Sequence, residues 1–285
     1  MIGAGAVLAR CFRLDADTMG KLNLYVFTPA LVFVKFTENT LEASDMGSIA
    51  LFWTSLVAIL LAVSAAASRL AGVRVADRPS VAIGSAFTNS GNFGIPAAQL
   101  AFGAAGAAVQ AVILAMENLL FFTLGLLLAS GWRSSPAETM RTLVRQPVLW
   151  AIPAALLLRG HGNLIPTPLA VAVSTLGAGL VPLALVTLGT QLAGARHGSS
   201  GPALTAIVGI RLVAAPLIGL ALVRLFAIQA PVSGMLVAAA GYPCAVNSVI
   251  LAIEFKRSPT LASAAVFWTT LGSAATVPAV LSCVR

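Results

Sequence analysis

Thr88-Asn89-Ser90-Gly91-Asn92-Phe93-Gly94-Ile95-Pro96 interrupts an otherwise apolar run, and its reading decides the fold. Proline lacks the amide donor and clashes with the preceding turn, while glycine frees the backbone, so Gly91-x-x-Gly94-x-Pro96 should unwind a helix near its middle. An unwound backbone inside hydrocarbon costs several kcal/mol per unpaired group unless it lines a polar cavity. Thr88, Asn89, Ser90 and Asn92 supply the polar groups such a cavity needs. Where the helix resumes, its free N–H groups and positive dipole end form an anion site.

The rest of the chain places this segment in a membrane. Of 285 residues, 59% are hydrophobic and 9% charged, and the mean hydropathy is +0.96; soluble domains carry roughly 25% charged residues. Crossing the hydrocarbon takes roughly 20 apolar residues. Apolar runs bounded by charge, Gly and Pro predict an all-α polytopic membrane protein with about ten transmembrane helices, at 1–11, 22–36, 47–68, 80–102, 107–130, 147–159, 166–193, 203–228, 232–254 and 260–283. They form a single transporter domain over 1–285 with no room for a soluble one. The first and sixth spans are short; Pro153 and Arg159-Gly160-His161 suit a tilted or half-buried sixth helix, and the chosen start can have removed part of the first. Met1–Ala9 lacks a basic segment and a small-residue cleavage site, so it reads as part of a first helix and not as a signal peptide.

Charge distribution orients the map. The net charge of +8 comes from Lys and Arg scattered at span ends, with no stripe beside stacking aromatics, so nucleic acid is not expected as a partner. Arg10, Arg13, Lys21, Arg69, Arg74, Arg78, Arg133, Arg141, Arg145, Arg196, Lys256 and Arg257 fall in loops after odd-numbered spans. Only Lys35, Arg159, Arg224 and Arg285 lie on the other face. Positive charge collects inside, so both termini are predicted outside the cytoplasmic (inner) membrane. Cys11, Cys244 and Cys283 have neither disulfide nor zinc spacing, and no metal or cofactor is expected.

The two halves look alike. Pro29 in Phe27-Thr28-Pro29-Ala30-Leu31 has a counterpart at Pro182, and Pro96 has one at Pro243 in Gly241-Tyr242-Pro243-Cys244-Ala245-Val246-Asn247; each pair lies about 150 residues apart. Five spans per half is odd, so the second copy enters upside down: an inverted repeat, about 1–131 and about 147–285, typical of secondary transporters. Gly241, Pro243, Asn247 and Ser248 offer the mirror-related version of the first break. The plainer reading is a pair of ordinary kinks, since Gly and Pro are common in membrane helices; two breaks at corresponding places, each flanked by asparagine, weigh against it. Pro29 and Pro182 lack that polar company, and a packing kink serves them as well.

Intramembrane charges are costly and usually functional. Arg211 is expected either to attract an anionic substrate or to tie span eight to a carbonyl or carboxylate. Glu117, followed by Asn118, is the one acid expected deep in the membrane; it could carry a proton, hydrogen-bond while neutral, or balance Arg211. Glu254 beside Lys256 and Arg257 suits an interfacial role. Gly3-Ala4-Gly5 is no dinucleotide fingerprint, and His161 and His197 fall in loops.

At Asn89–Pro96 the chain resembles the auxin efflux carrier family, prokaryotic relatives of the plant PIN transporters. Supporting matches are Asn23 to Leu31, Glu117-Asn118-Leu119 with Thr123-Leu124-Gly125, Arg211 to Pro216, and Gly241-Tyr242-Pro243 with Ala245 and Asn247. The resemblance implies two inverted five-helix repeats whose helices 4 and 9 are broken at prolines and cross at the substrate site. It also implies an elevator in which spans 3–5 and 8–10 carry substrate past a scaffold of spans 1, 2, 6 and 7. Carried over residue by residue, the crossover positions are Asn89, Asn92, Pro96, Pro243 and Asn247; with Ser90, Gly94 and Gly241 they make the expected substrate site, and Glu117, Asn118 and Arg211 the coupling or charge-balance group. Family substrates are organic anions, auxin in plants and dicarboxylates such as malate in some bacteria. The expected partners are therefore a small organic anion, protons as the coupling ion to test, the lipid bilayer, and a second copy of the chain in a homodimer. The short first span departs from the family pattern. Span three, Leu51 to Ser68, also has no acid, so a carboxylate seen there in some plant members has no counterpart and proton coupling through it is not expected.

The alternatives are an anion channel and a membrane-embedded enzyme. An enzyme needs paired acids, a metal cluster or a nucleophile with its base. Asp15, Asp17, Asp45 and Asp77 all fall in loops and neither histidine is in a span, so the chain is not expected to be an enzyme. A channel differs by lacking saturable exchange.

Overall fold

The computed structural model describes residues 1–12, 14–38, 41–131, 135–160, 164–194 and 201–284. Arg13, Arg133, His161, Arg196, His197 and Arg285, used in the sequence reading, lie outside the described residues. Within them every regular element is helical, as a chain in hydrocarbon requires, because only a helix satisfies its own backbone without an edge.

The first helices are α1 (Ile2–Phe12), α2 (Ala16–Leu22) and α3 (Thr28–Thr37). Asp15 caps α2 by accepting from the Asp17 and Thr18 amides, and a π-helical turn, Asn23–Phe27, joins α2 to α3 without a gap. Pro29 lies just where the continuous helix passes from the π turn into α3, so its missing N–H falls at that change of hydrogen-bond register. Next come α4 (Ala43–Leu70) and α5 (Arg78–Ala86). After an extended step follow a π turn, Ser90–Gly94, then α6 (Ile95–Leu120), a π turn, Phe121–Gly125, and α7 (Leu126–Ser130). The second half holds α8 (Pro136–Val144), α9 (Pro147–Leu158) and α10 (Thr167–Gly194). It continues with α11 (Pro202–Gly209), a π turn, Ile210–Ala214, and α12 (Ala215–Leu225). Last are α13 (Val232–Ala240), α14 (Asn247–Glu254) and α15 (Pro259–Val284).

Among the described residues, five helical stretches are long and apolar enough to cross a membrane: Ser44–Leu70, Ser90–Ser130, Thr167–Gly194, Pro202–Leu225 and Pro259–Cys283. The second has 41 residues, about 60 Å at 1.5 Å per residue and so about twice the hydrocarbon thickness. It is bent within α6 at Gly103, whose φ of 66° and ψ of −147° leave the helical region. Glu117, about as far beyond that bend as Thr88 is before it, accepts a hydrogen bond from the Thr88 amide. The stretch is therefore a hairpin of two limbs.

Two elements depart from the sequence map, the first being α2, Ala16–Leu22, which fills most of the expected loop between spans 1 and 2. The loop between spans 5 and 6 contains the second, α8, whose start is a capping box: the Ser135 hydroxyl accepts from the Glu138 amide and the Glu138 carboxylate from the Ser135 amide. The S-x-x-E signature was present, but the search for long apolar runs passes over a short polar helix.

Small residues set the closest helix contacts. A Cβ on Gly5 would collide with the Val186 carbonyl, and one on Gly189 with the Ile2 carbonyl, so α1 and α10 meet backbone to backbone. Gly177 of α10 would place a Cβ 3.1 Å from the Leu31 Cα on α3. α9 packs on α3, while α4 lies against α5, α6 and α12.

Loop contacts sort the molecule into two ends. At one, Asp77 accepts from Arg74 Nε at 2.8 Å and from the Ser258 hydroxyl, while Arg257 Nε donates to the Ala129 carbonyl at 2.6 Å. Burial pushes the Asp77 carboxyl up, but Ser258 and Arg74 outweigh it and hold the group below its ordinary value. At the other end Arg159 Nη2 donates to the Leu41 carbonyl at 3.0 Å. Loops following α4, α7 and α14 thus gather at one end, and those following α3 and α9 at the opposite one.

Candidate functional site

α5 ends when Phe87 turns to φ −106°, ψ 137°. Extended residues deep in a protein must find backbone partners, and here they find them in the segment between α13 and α14. Thr88 and Cys244 form an antiparallel bridge, with Asn89 N donating to the Pro243 carbonyl at 2.8 Å and Ala245 N to the Phe87 carbonyl at 3.0 Å. Pro243, which has no N–H to offer, contributes its carbonyl. Residues 87–89 and 243–245 therefore meet through a single antiparallel bridge in a helical protein.

The amide groups left over are taken by side chains from other helices. The Thr88 amide donates to Glu117 Oε1, and the other carboxylate oxygen, Oε2, accepts from Trp53 Nε1 at 2.6 Å. The Cys244 amide donates to Thr269 Oγ1 at 3.0 Å. The carbonyl ends of the two preceding helices converge on one cation. Arg211 Nη1 donates to Ser85 O at 2.8 Å and Nη2 to Ala240 O at 2.5 Å. Arg211 is 0% exposed, and the helices it caps, α5 and α13, both present their negative dipole ends to it. Of the roles open to Arg211, the geometry selects the tie to carbonyls. No ion pair joins it to Glu117; each charge is bonded to backbone or to Trp53.

The two following helices begin beside this crossing. Asn89 Oδ1 accepts from the Asn92 amide at 3.2 Å and caps the Ser90–Gly94 turn. Thr88 and Ser90 hydroxyls lie 2.7 Å apart, and Gln110 Nε2 donates to Ser90 O at 3.3 Å. Gly94 is required by its neighbours, since a Cβ there would sit 2.5 Å from Gln110 Nε2 and 3.2 Å from the Tyr242 ring. Asn92 is half-buried, and its Oδ1 accepts from Asn23 Nδ2 at 3.1 Å. Asn247 opens α14, also half-buried, one residue before the buried Ser248.

The structure thus gathers Asn89, Ser90, Asn92, Pro243 and Glu117 where the two segments meet, in one cluster whose two preceding helices are tied together by Arg211. Gly94 and Gly241 are close-contact positions within it; Gly241 ends α13 against Pro216, 3.7 Å from where its Cβ would stand. Pro96 lies buried in the first turn of α6, and Asn118 is buried with Nδ2 unpartnered. Asn89 Nδ2, Asn23 Oδ1 and Arg211 Nε are likewise buried without partners. Sequence reasoning missed Trp53, Asn23, Gln110, Thr187 and Thr269. Each is a polar group within or at the edge of an apolar run, the signal that could have found them. Among the described residues no group of three His, Cys, Asp or Glu could hold a metal.

A sequence model of the family described as "Membrane transport protein" matches residues 132–281 of this chain, more than half of its length. An uncharacterized transporter of Methanothermobacter thermautotrophicus is 28% identical over 269 residues, covering 93% of this chain and 87% of its own. With its apolar helices and this match, the chain belongs to the membrane transport proteins of the auxin efflux carrier family.

Proposed function

We propose that this membrane transporter carries small organic anions across the cytoplasmic membrane by elevator-type alternating access. One observation carries the reading: the paired segments 87–89 and 243–245, whose Thr88 and Cys244 amides are met by Glu117 and Thr269, while Arg211 ties together the ends of the two helices that precede them. Both charges are committed to the protein, so the groups left to a solute are the amides of Asn89, Asn92 and Asn247 and the amide ends of the helices that resume there. Such donors suit a carboxylate. The order of helices supports ten crossings in two inverted repeats, with α6 supplying parts of two, and with α4–α7 and α11–α15 moving past α1–α3, α9 and α10.

Counterflow of labelled malate in proteoliposomes tests this. Asn92→Ala and Asn247→Ala should insert and purify as folded protein yet lose exchange by about tenfold or more, the cost of one good charge-assisted bond each. Exchange unchanged in both variants would remove them from the site, and flux without saturation or counterflow would make the protein a channel.

The two-ended loop contacts, together with the odd-loop charge excess, support a cytoplasmic position for the Asp77–Ser258 end and both termini outside. A reporter fused after Arg285 that is active only in the cytoplasm should stay silent. An active fusion would invert the orientation.

A further inference from the structure

We infer that Asn23 is a positioning residue that turns the amide of Asn92 so that its NH2 group, and not its oxygen, faces the solute. The inference rests on the proposed function only in taking Asn92 as a solute ligand.

The argument starts at Thr187 on α10, which is 0% exposed. A hydroxyl has one proton, and that of Thr187 goes to the Leu183 carbonyl at 2.8 Å. Thr187 can then only accept from its other neighbour, the Asn23 amide at 3.2 Å. That fixes the Asn23 side chain, which alone could be placed either way round: its nitrogen faces Thr187, and the oxygen cannot, because two acceptors would meet. Asn23 is 3% exposed and its Oδ1 has no partner, so the orientation is held against an unpaired acceptor. The second N–H of the same nitrogen donates to Asn92 Oδ1 at 3.1 Å. Asn92 must therefore present oxygen to Asn23 and turn its NH2 away. That NH2 has no hydrogen-bond partner among the described residues, and Asn92 is half-buried beside the crossing.

A chain of three polar side chains, Thr187 to Asn23 to Asn92, thus sets the polarity of one contact from two hydrogen bonds away. It makes Asn92 a donor toward a group that can only accept, as a carboxylate does. It also spans two groups of helices, because Asn23 and Thr187 lie on the α2–α3 rod and α10 while Asn92 belongs to the crossing. The polarity is defined only while these meet.

Thermal unfolding of the purified full chain in detergent, followed by tryptophan fluorescence, reads this directly. Asn23→Ala should lower the midpoint by about 4 °C. In an Asn92→Asp background the same substitution should cost as much, because a carboxylate still accepts from Asn23. In an Asn92→Ala background the cost should fall to the Thr187 contact alone. If Asn92→Asp abolishes the cost of Asn23→Ala, Asn92 was the donor and the inference fails. If the cost is equal in the wild-type and Asn92→Ala backgrounds, no bond exists and it also fails. Malate supplies the solute arm: it should raise the wild-type midpoint, need about tenfold more to do so in Asn23→Ala, and have no effect in Asn92→Asp. A malate shift that survives Asn92→Asp overturns the donor role. No shift in the wild type counts against the organic-anion reading alone, and the background dependence still decides Asn23.

Discussion

Arg211→Met is expected to destabilise the protein by about 2–6 kcal/mol, because it leaves two buried helix ends unsatisfied at about 1–3 kcal/mol each. Methionine nearly fills the volume, so the loss reports the bonds and not a cavity. The Ser85 and Ala240 carbonyls belong to different halves of the chain and are reached from one guanidinium. Lysine is no substitute: a single ammonium is a point charge without the planar fork, so Arg211→Lys should retain one contact and fall between the parent and Arg211→Met. Thermal unfolding in detergent measures all three. An Arg211→Met variant that unfolds with the parent would show that the guanidinium contributes nothing to joining α5 and α13.

Glu117 is expected to behave in an opposite sense to a simple proton carrier. Both of its oxygens accept, one from the Thr88 amide and one from Trp53 Nε1. Glutamine has one acceptor oxygen, and its NH2 would point hydrogens at whichever donor is left. Glu117→Gln should therefore cost about 1–3 kcal/mol, one buried donor left without a partner. Arg211 shares no hydrogen bond with Glu117, so the expected loss is that of one acceptor and not of a broken ion pair. Trp53→Phe removes the conflicting donor, so adding it to Glu117→Gln should restore part of the stability that Glu117→Gln loses, although Trp53→Phe alone destabilises. Such a compensating pair is measured by a double-mutant cycle. A Glu117→Gln variant with parental stability and no pH-driven uptake would reinstate the proton role, because neither oxygen would then be needed as an acceptor.

Much of the helical layout was legible because apolar length and flanking charge are local properties. α4, α10 and α15 begin and end within a few residues of the runs at 47–68, 166–193 and 260–283. The crossing residues were legible as a class, from Gly and Pro among asparagines. What those residues bond to was not. Arg211 meets Ser85 across 126 positions and Trp53 meets Glu117 across 64, and no spacing rule reaches that far. The π turns add a second obstacle. Each inserts a residue into the helical repeat, so a side chain's face can no longer be counted off at 100° per residue beyond it. Asn23 and Arg211 both lie inside such turns, so a count along the helix misplaces the two groups that proved most connected.

The guanidinium of Arg211 sets a distance as well as a bond. Since it grips the last turn of α5 and the last turn of α13 at once, the two segments that follow cannot spread or close without breaking a charged contact. The gap between the two helix starts at Ser90 and Asn247 is then a fixed gauge, and under the alternating access proposed above it would be the same in either state. A solute of a given length should be accepted or refused alike from either side of the membrane, so that loading and unloading differ in rate and driving force while the range of molecules admitted stays the same.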